Sequence, residues 1–432
     1  MGKDIEKQLK KAEQLYKAMQ LKRAAKLFNT VGKSFLNIGD YNRAKECFFN
    51  AAKCAMNDEK YINGLEFYRN AGTASLYNDN FIEAYEFFKD ALNYVPSLRN
   101  TSERSYQYIL FTSLSYLCLF LEGKQEEGLD LIKKYKTYVN DAYFKENPMI
   151  RLVKNFTIAT KDKNENYVKQ IEKDFESFKF YEGEISLAKK AIVLTKTIIN
   201  LHTKLSFDKN VYTTNDTINL TLDINTKNLL DISNNKFYNY NINELKITKI
   251  GLTLSDNFTT AKKPGLPILI EPGQNYLINL LIKPHFQMEK SYIGPIVLTS
   301  ELNGSLKFFY EISEIMYPTL ISPPPTLDIS MKTLRPPLIG QTFPLEILIE
   351  NKSEGEALDL NIEIEFPENL KVMRGTLNKQ IYSLKPNENI KWEINLKPIE
   401  AEDYSIKIEA RFKDPDQNLI EEIKEFPISI KL

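Results

Sequence analysis

Two different spacings of apolar residues divide the chain into two halves. Up to about residue 204, apolar positions recur every three or four residues, which is the spacing of one face of an α-helix. From about residue 205 they alternate with polar residues, as in 217–224, where every second side chain is apolar. The pattern predicts a multidomain α plus β protein, with an all-α N-terminal half and an all-β C-terminal half.

The helical half contains an internal repeat of 40 residues. At this offset, small and aromatic residues of one segment fall on small and aromatic residues of the next: Ala44, Phe48, Ala51 and Ala55 on Ala84, Phe88, Ala91 and Val95, and Phe28, Val31 and Gly32 on Tyr68, Ala71 and Gly72. Two antiparallel helices approach closely where Ala or Gly lines their contact, and an aromatic ring then fills the gap between hairpins. A single hairpin cannot bury such a stripe, whereas a stack can. We therefore expect a solenoid of about nine or ten helices that ends near residue 204.

These small and large positions resemble those of the tetratricopeptide class. The matching positions, counted from Gly72, are Phe81, Ala84, Phe88, Ala91 and Pro96. The period is longer than the usual 34 residues, and the "GDY..A...F..AA" turns resemble those of the soluble NSF attachment proteins over residues 10–140. The resemblance implies a protein-binding solenoid. SNARE binding and ATPase stimulation are not carried over, because those proteins end in helices and this chain continues into β segments.

The C-terminal half contains a second repeat, with an offset of 114 residues. "IEPGQNYLINLLIKP" at 270–284 aligns with "LKPNENIKWEINLKP" at 384–398. This offset is the length of one immunoglobulin-like domain, and the short alternating strands resemble such modules. We predict a solenoid over 1–204, sandwiches over 205–316 and 327–432, and a Pro-rich linker over 317–326. An insertion at 225–241 is predicted to be a long solvated loop.

The charge balance narrows the range of partners. Lys and Arg together number 57, as do Asp and Glu, so the formal net charge is zero. A chain-wide attraction to nucleic acid or to an anionic membrane is therefore not expected. The sequence shows no secretory signal pattern and no long apolar run. We expect a cytoplasmic protein whose association with membranes is at most peripheral, through its partners.

The cysteines are the first candidates for chemistry. Cys47 and Cys54 lie seven residues apart on one predicted helix and lack the CxxC spacing of a zinc or redox motif. Two helical turns separate them by roughly 10 Å, too far for a disulfide. In the next repeat their places are taken by Phe87 and Tyr94, an exchange that suits packing and not metal binding. Cys118 stands alone.

Other catalytic candidates are equally weak. His202 and His285 fall in different predicted domains, and neither has a metal-ligand motif around it. The pairs at 126–127 and 421–422 are adjacent glutamates that we expect to be solvated, as is the basic string at 133–136. Phosphate-binding and nucleophile-elbow motifs are missing. We predict no catalytic, metal-binding or cofactor-binding residues, and no enzymatic activity.

The architecture then favours a non-enzymatic scaffold or adaptor that binds peptide or helical segments of protein partners on the solenoid surface. An α-solenoid followed by immunoglobulin-like sandwiches resembles certain subunits of TRAPP-type tethering complexes. That resemblance implies a role in intracellular membrane trafficking. The alternative is a cytoplasmic regulatory or signalling adaptor with no membrane role, and an enzyme concealed in the solenoid is disfavoured by the missing motifs.

Overall fold

The computed structural model describes residues 2–288 and 290–431, and the side chains of Gly2, Lys3 and Glu176 are not described. The helical part ends at Asn200 and the first strand begins at His202, which confirms the predicted change of period. Two short 3-10 turns cover Val95–Ser97 and Phe175–Ser177. The α-helices within the described residues are α1 (Gly2–Lys17), α2 (Leu21–Asn37), α3 (Tyr41–Asn57), α4 (Tyr61–Leu76), α5 (Phe81–Leu92), α6 (Thr101–Leu121), α7 (Gln125–Lys136), α8 (Asp141–Glu146), α9 (Pro148–Lys161), α10 (Glu165–Asp174), α11 (Glu182–Asn200) and α12 (Leu229–Ser233).

Up to residue 200 the described chain forms eleven α-helices, slightly more than the nine or ten expected from the sequence. The strands of the described residues are β1 (His202–Phe207), β2 (Val211–Thr213), β3 (Ile218–Asn225), β4 (Leu245–Leu254), β5 (Phe258–Lys262), β6 (Ile268–Ile270), β7 (Asn275–Pro284), β8 (Ile293–Leu302), β9 (Leu306–Ile312), β10 (Thr319–Ile321), β11 (Leu327–Thr333), β12 (Phe343–Asn351), β13 (Ala357–Glu365), β14 (Leu370–Arg374), β15 (Asn378–Leu384), β16 (Asn389–Pro398), β17 (Asp403–Lys413) and β18 (Leu419–Ser429).

The turns between the first helices recur every 20 residues. The residue two positions before the start of α2, α3, α4 and α5 has a positive φ in each case: Met19, Gly39, Glu59 and Asp79, with φ between 54° and 77°. The following amide then bonds to the carbonyl five residues back, as from Asp40 N to Phe35 O at 2.9 Å. This is the closing bond of a Schellman-type helix end. The 40-residue sequence repeat is therefore two helices with identical turns.

Each repeat is closed by contact between a glycine and an aromatic ring. A Cβ atom added to Gly32 on α2 would lie 2.8 Å from the Phe48 ring on α3, and one added to Gly72 on α4 would lie 2.3 Å from Phe88 on α5. Both phenylalanines are at most 2% exposed. The helices of a pair approach this closely because the glycines have no side chain, which explains why these positions recur in the sequence.

The two halves of the β region have the same sheet topology. The first has sheets ordered β1-β3-β7-β5 and β6-β4-β8-β9, and the second has β11-β12-β16-β14 and β15-β13-β17-β18. β7 and β16, which occupy the same place in this order, are offset by 114 residues. Each half is a β-sandwich-like unit with alternate side chains buried, as the sequence repeat predicted.

The helical half and the first sandwich share one apolar core, and the second sandwich has its own. The hydroxyl of Tyr310 on β9 donates to the Leu201 carbonyl at 2.6 Å. The turn between α6 and α7 meets the same strand, where Lys307 bonds to Glu122 at 2.8 Å. The helices thus cover an edge strand that would otherwise present unpaired backbone groups.

The insertion at 225–241 is not the solvated loop that the sequence suggested. It contains α12, whose Leu229 and Ile232 are buried. Further along, the Tyr238 hydroxyl donates to the carboxylate of Glu172 on α10. Leu229, Ile232 and Tyr238 of this polar, Asn-rich segment are buried, and the bond to Glu172 ties the segment to the helical half.

The Pro-rich segment at 317–326 contacts both sandwiches. β10 pairs in parallel with β2 of the first sandwich. The Ser322 amide donates to the Asp416 carboxylate at 2.9 Å, and a Cβ atom on Gly355 would lie only 2.0 Å from the Pro323 carbonyl oxygen. The proline run is therefore seated directly on the backbone of the second sandwich.

The glycine–aromatic contact gives a direct test of the repeat. We expect Gly72→Ala to lower the free energy of unfolding by about 1–3 kcal/mol, because the new methyl group overpacks a buried ring. The measurement is urea unfolding followed by the helical circular dichroism signal. Gly265→Ala is the control: this position has open space within 4 Å and should change stability by less than about 0.5 kcal/mol. Equal effects of the two substitutions would contradict the packing argument.

Candidate protein-binding cleft

One face of the helical stack is filled by the chain itself. α11 packs against α4, α6, α9 and α10. In the α4–α5 pair it contacts α4, and in the α6–α7 pair it contacts α6. It therefore lies along one side of the stack. Its inward side chains are at most 1% exposed: Leu187, Ala188, Ala191, Ile192, Val193 and Leu194. A partner segment therefore finds this side of α4 and α6 already covered.

A buried ion pair fixes α11 to α4. Arg69 donates from Nε to Glu184 Oε1 at 2.7 Å and from Nη2 to Oε2 at 2.6 Å. The guanidinium lies 3.7 Å from the ring centroid of Tyr181, whose backbone amide donates to the same carboxylate at 2.8 Å. Burial opposes the charge of Arg69, but the hydrogen bonds and charge of Glu184 outweigh it and raise the pKa of Arg69. The pair holds α11 in one register on the stack.

An open feature of the helical half lies at the ends of α5, α6 and α7. It is a cleft of about 880 Å³. The 3-10 turn after α5 and the short α8 complete its walls. The lining residues are Leu92, Asn93, Pro96, Thr101, Ser102, Arg104, Ser105, Tyr108, Lys134, Tyr135, Tyr138, Asn140 and Tyr143. We refer to it as the tyrosine cleft.

Three tyrosine rings form one side of the cleft. Tyr108 stacks on Tyr135 and Tyr138, with ring centroids 5.3 and 5.5 Å apart, and the latter two are separated by 6.1 Å. Tyr108 is 2% exposed, whereas Tyr138 is 62% and Tyr143 is 42% exposed. Burial raises the pKa of Tyr108, the two neighbouring phenols add to this, and Arg104 acts in the opposite direction. Together the rings present a rigid, neutral, amphipathic surface of the kind that protein interfaces favour.

The charges that line the cleft are all positive. Arg104 and Lys134 belong to the lining, which has no Asp or Glu among its described residues. The neighbouring lysines on α7 differ: Lys133 is paired with Asp130 at 2.9 Å and Lys136 with Asp141 at 3.5 Å. The cleft therefore combines aromatic rings with two cations that have no carboxylate facing them across it.

The structure places the candidate cysteines in the cores. Cys47 and Cys54 lie on α3 and Cys118 lies on α6, and all three are free and buried. Burial raises the pKa of Cys47 to about 12 and that of Cys54 to about 11, and it raises the pKa of Cys118 well above its usual value. Cys47 and Cys54 even face different apolar clusters. They are packing residues.

The other candidates from the sequence are scattered. His202 starts β1, with its Nε2 atom 3.3 Å from Asn228 Nδ2, and His285 follows β7, with Nε2 2.7 Å from Thr259 Oγ1. Glu421 pairs with Arg411 at 2.7 Å. Throughout 2–288 and 290–431, three His, Cys, Asp or Glu side chains nowhere converge to hold a metal ion. None of the described helices has the length and apolar composition that a membrane crossing needs.

The tyrosine cleft was missed at the level of sequence. The sequence predicts a solvated helix face for the basic string at 133–136, and its lysines are exposed. Two of its members, Lys134 and Tyr135, also line the cleft. The available signal was the density of tyrosine, at 135, 138 and 143, close to a turn marked by Asn140. What could not be predicted is that α6 brings Arg104 and Tyr108 to the same place.

No model of a known protein family matches this chain, and no curated protein matches it either.

The buried ion pair gives the first prediction for this region. Glu184→Gln should lower the free energy of unfolding by about 3–5 kcal/mol, because the guanidinium of Arg69 remains buried beside a neutral amide. Urea unfolding followed by the helical circular dichroism signal measures it. The double variant Arg69→Met with Glu184→Leu should recover most of the loss. As a control, Lys133→Gln removes an exposed pair and should cost less than about 1 kcal/mol. A mild effect of Glu184→Gln would contradict the assigned role of the pair.

The cysteines give the second prediction. Thiolates are the reactive species, and at about pH 8 the raised pKa values and the burial keep all three thiols protonated and covered. A colorimetric disulfide reagent should therefore modify no thiol of the native protein and all three in denaturant. Rapid modification of one thiol in the folded protein would show an accessible thiolate and revive a redox interpretation.

Proposed function

We propose that this protein is a non-enzymatic scaffold or adaptor that binds another protein in the tyrosine cleft. The observation that supports this most directly is the division of the stack into a filled side and an open one. α11 covers one side of α4 and α6. The cleft at the ends of α5, α6 and α7 remains open and presents aromatic rings. A partner is therefore expected at the cleft and not along α11.

The chemistry of the cleft suits binding better than catalysis. A general acid or base that works near neutral pH is usually a His, Glu or Asp, and the described lining holds none of them. Its buried phenol, Tyr108, has a raised pKa and so stays protonated at neutral pH. Tyr and Arg are instead the residues that dominate binding energy at protein interfaces.

The setting that we propose is intracellular membrane trafficking. It rests on the likeness of the repeats to the soluble NSF attachment proteins and of the architecture to tethering-complex subunits, which is an analogy of fold. A cytoplasmic location with peripheral, partner-mediated membrane association accords with this proposal. A regulatory or signalling adaptor with the same cleft and no membrane role is the alternative.

Site-specific photo-crosslinking tests the proposed function. A benzoylphenylalanine in place of Tyr138, irradiated in a native extract, should give adducts of defined mass with one or a few proteins. The same group in place of Tyr382, which is 86% exposed on the second sandwich, is the matched control and should not give them. When Lys134→Glu is combined with the benzoylphenylalanine at position 138, the adducts should disappear, because Lys134 lines the same cleft.

The identity of the adducts separates the two settings. Small GTPases, coiled-coil fusion proteins or coat subunits support trafficking, and a single soluble enzyme favours the regulatory adaptor. If Tyr138 gives no adduct that Tyr382 lacks, the tyrosine cleft is not a protein-binding site and the proposed function fails.

A further inference from the structure

We propose that the occupant of the tyrosine cleft is an extended segment of a partner protein that combines proline with acidic residues. This inference rests on the proposed function and specifies the chemistry of its ligand. It follows from the charges left facing the cleft and from the geometry of its rings.

The unpaired cations point to an acidic ligand. Along α7, Lys133 and Lys136 have their own aspartates, at 2.9 and 3.5 Å. Lys134 lies between them in sequence, lines the cleft and is 5.2 Å from the ring centroid of Tyr135. A lysine in the last turn of a helix also interacts favourably with the helix dipole, but that explanation applies equally to Lys133, Lys134 and Lys136. Of the three, only Lys134 lines the cleft, and the described lining has no Asp or Glu to pair with it. A carboxylate of the ligand would supply that counter-charge.

The first turn of α6 adds polar donors to the lining of the cleft. This helix has 21 residues and begins at Thr101, which lines the cleft together with Ser102 and Arg104. Asn100 caps it, accepting from the amides of Ser102 and Glu103 at 2.9 and 3.1 Å. Glu103 in the same turn offsets the positive end of the helix dipole, and the Asn100 cap occupies two of its amides. What this turn offers an acidic ligand is therefore its two hydroxyl donors and Arg104.

The rings point to proline. Aromatic-lined grooves bind proline-containing segments in the polyproline II form, because flat rings accept the pyrrolidine ring and the segment loses little entropy. Tyr108 is fixed by burial and by stacking on both Tyr135 and Tyr138, so the surface is formed before a ligand arrives. The rings of Tyr138 and Tyr143 are exposed and can pack against the bound segment.

A second copy of this chain is a poor candidate for the occupant. Its own proline run at 323–325 is seated on Gly355, where a Cβ atom would lie 2.0 Å from the Pro323 carbonyl oxygen. Single-stranded nucleic acid also combines negative charge with rings that stack on tyrosine. It needs a basic track along its backbone, and the cleft offers two cations within a chain of zero net charge.

The test is fluorescence anisotropy of labelled synthetic ligands with the full-length protein. The probes are short peptides of repeated Pro-Glu, Gly-Glu and Pro-Lys, and an oligothymidylate of similar length. We expect Pro-Glu to bind at least about tenfold more tightly than Pro-Lys and measurably more tightly than Gly-Glu. Its affinity should fall as salt is raised, since the cations of the cleft are close to solvent.

Matched variants locate the binding. Lys134→Glu should weaken Pro-Glu binding by about tenfold or more, because it replaces an attraction by a repulsion. Lys133→Glu makes the same charge change one residue away, outside the lining, and should have little effect. Tyr138→Ala should weaken binding several-fold, and Tyr382→Ala should not.

The outcomes separate this inference from the proposed function. Equal binding of Pro-Glu and Pro-Lys, tighter binding of oligothymidylate, absence of peptide binding, or equal effects of Lys134→Glu and Lys133→Glu would each overturn the acidic ligand. If crosslinking at Tyr138 still captures a protein, the scaffold stands and only its ligand chemistry is wrong. If crosslinking fails as well, both are wrong.

Discussion

The position of α11 determines what the rest of the molecule can do, and the Arg69–Glu184 pair determines the position of α11. A charged residue buried on one helix has to meet its counter-charge at one register, because any sliding would leave both charges unpaired in an apolar core. Packing of Leu187 or Ala191 alone would tolerate small shifts along the stack. With α11 fixed, the chain leaves the stack at Leu201 and enters β1 at a defined place.

That placement couples the helical half to the first sandwich. The chain passes directly from α11 into β1, so the two share a core, and Tyr310 on β9 donates back to the carbonyl of Leu201. The insertion reinforces the junction when Tyr238 bonds to Glu172. The second sandwich is connected differently. Its core is separate, and the contact of Pro323 with Gly355 joins two surfaces and does not merge two interiors.

Sequence periodicity predicted the local architecture well, for a physical reason. The 40-residue repeat reflects contacts between near neighbours in the chain, such as Gly72 with Phe88, and these recur whenever the unit recurs. The 114-residue repeat reflects one strand order that occurs twice, with β3 on β7 in the first sandwich and β12 on β16 in the second. The burial of Ile218, Leu220 and their alternating neighbours on β3 follows from the same local rule. The inner face was not predictable, because Arg69 and Glu184 are separated by more than a hundred residues and belong to no repeat. The insertion was misjudged because its Asn-rich composition concealed a few apolar side chains that the helices cover.

A zero net charge does not exclude a local positive site, and the lining of the tyrosine cleft contains one. Charges that are paired within the chain, such as Lys133 with Asp130, have little left to offer a partner, whereas an unpaired cation beside a rigid aromatic wall has its full attraction available. The charges available to a partner are then those that the fold leaves without a counter-charge. The packing of the helices decides which charges these are. Among the residues that the structure describes, Arg104 on α6 and Lys134 on α7 line the cleft without an Asp or Glu beside them in its lining. The same argument explains why composition excluded a strongly basic protein and yet could not exclude a local site for an acidic ligand.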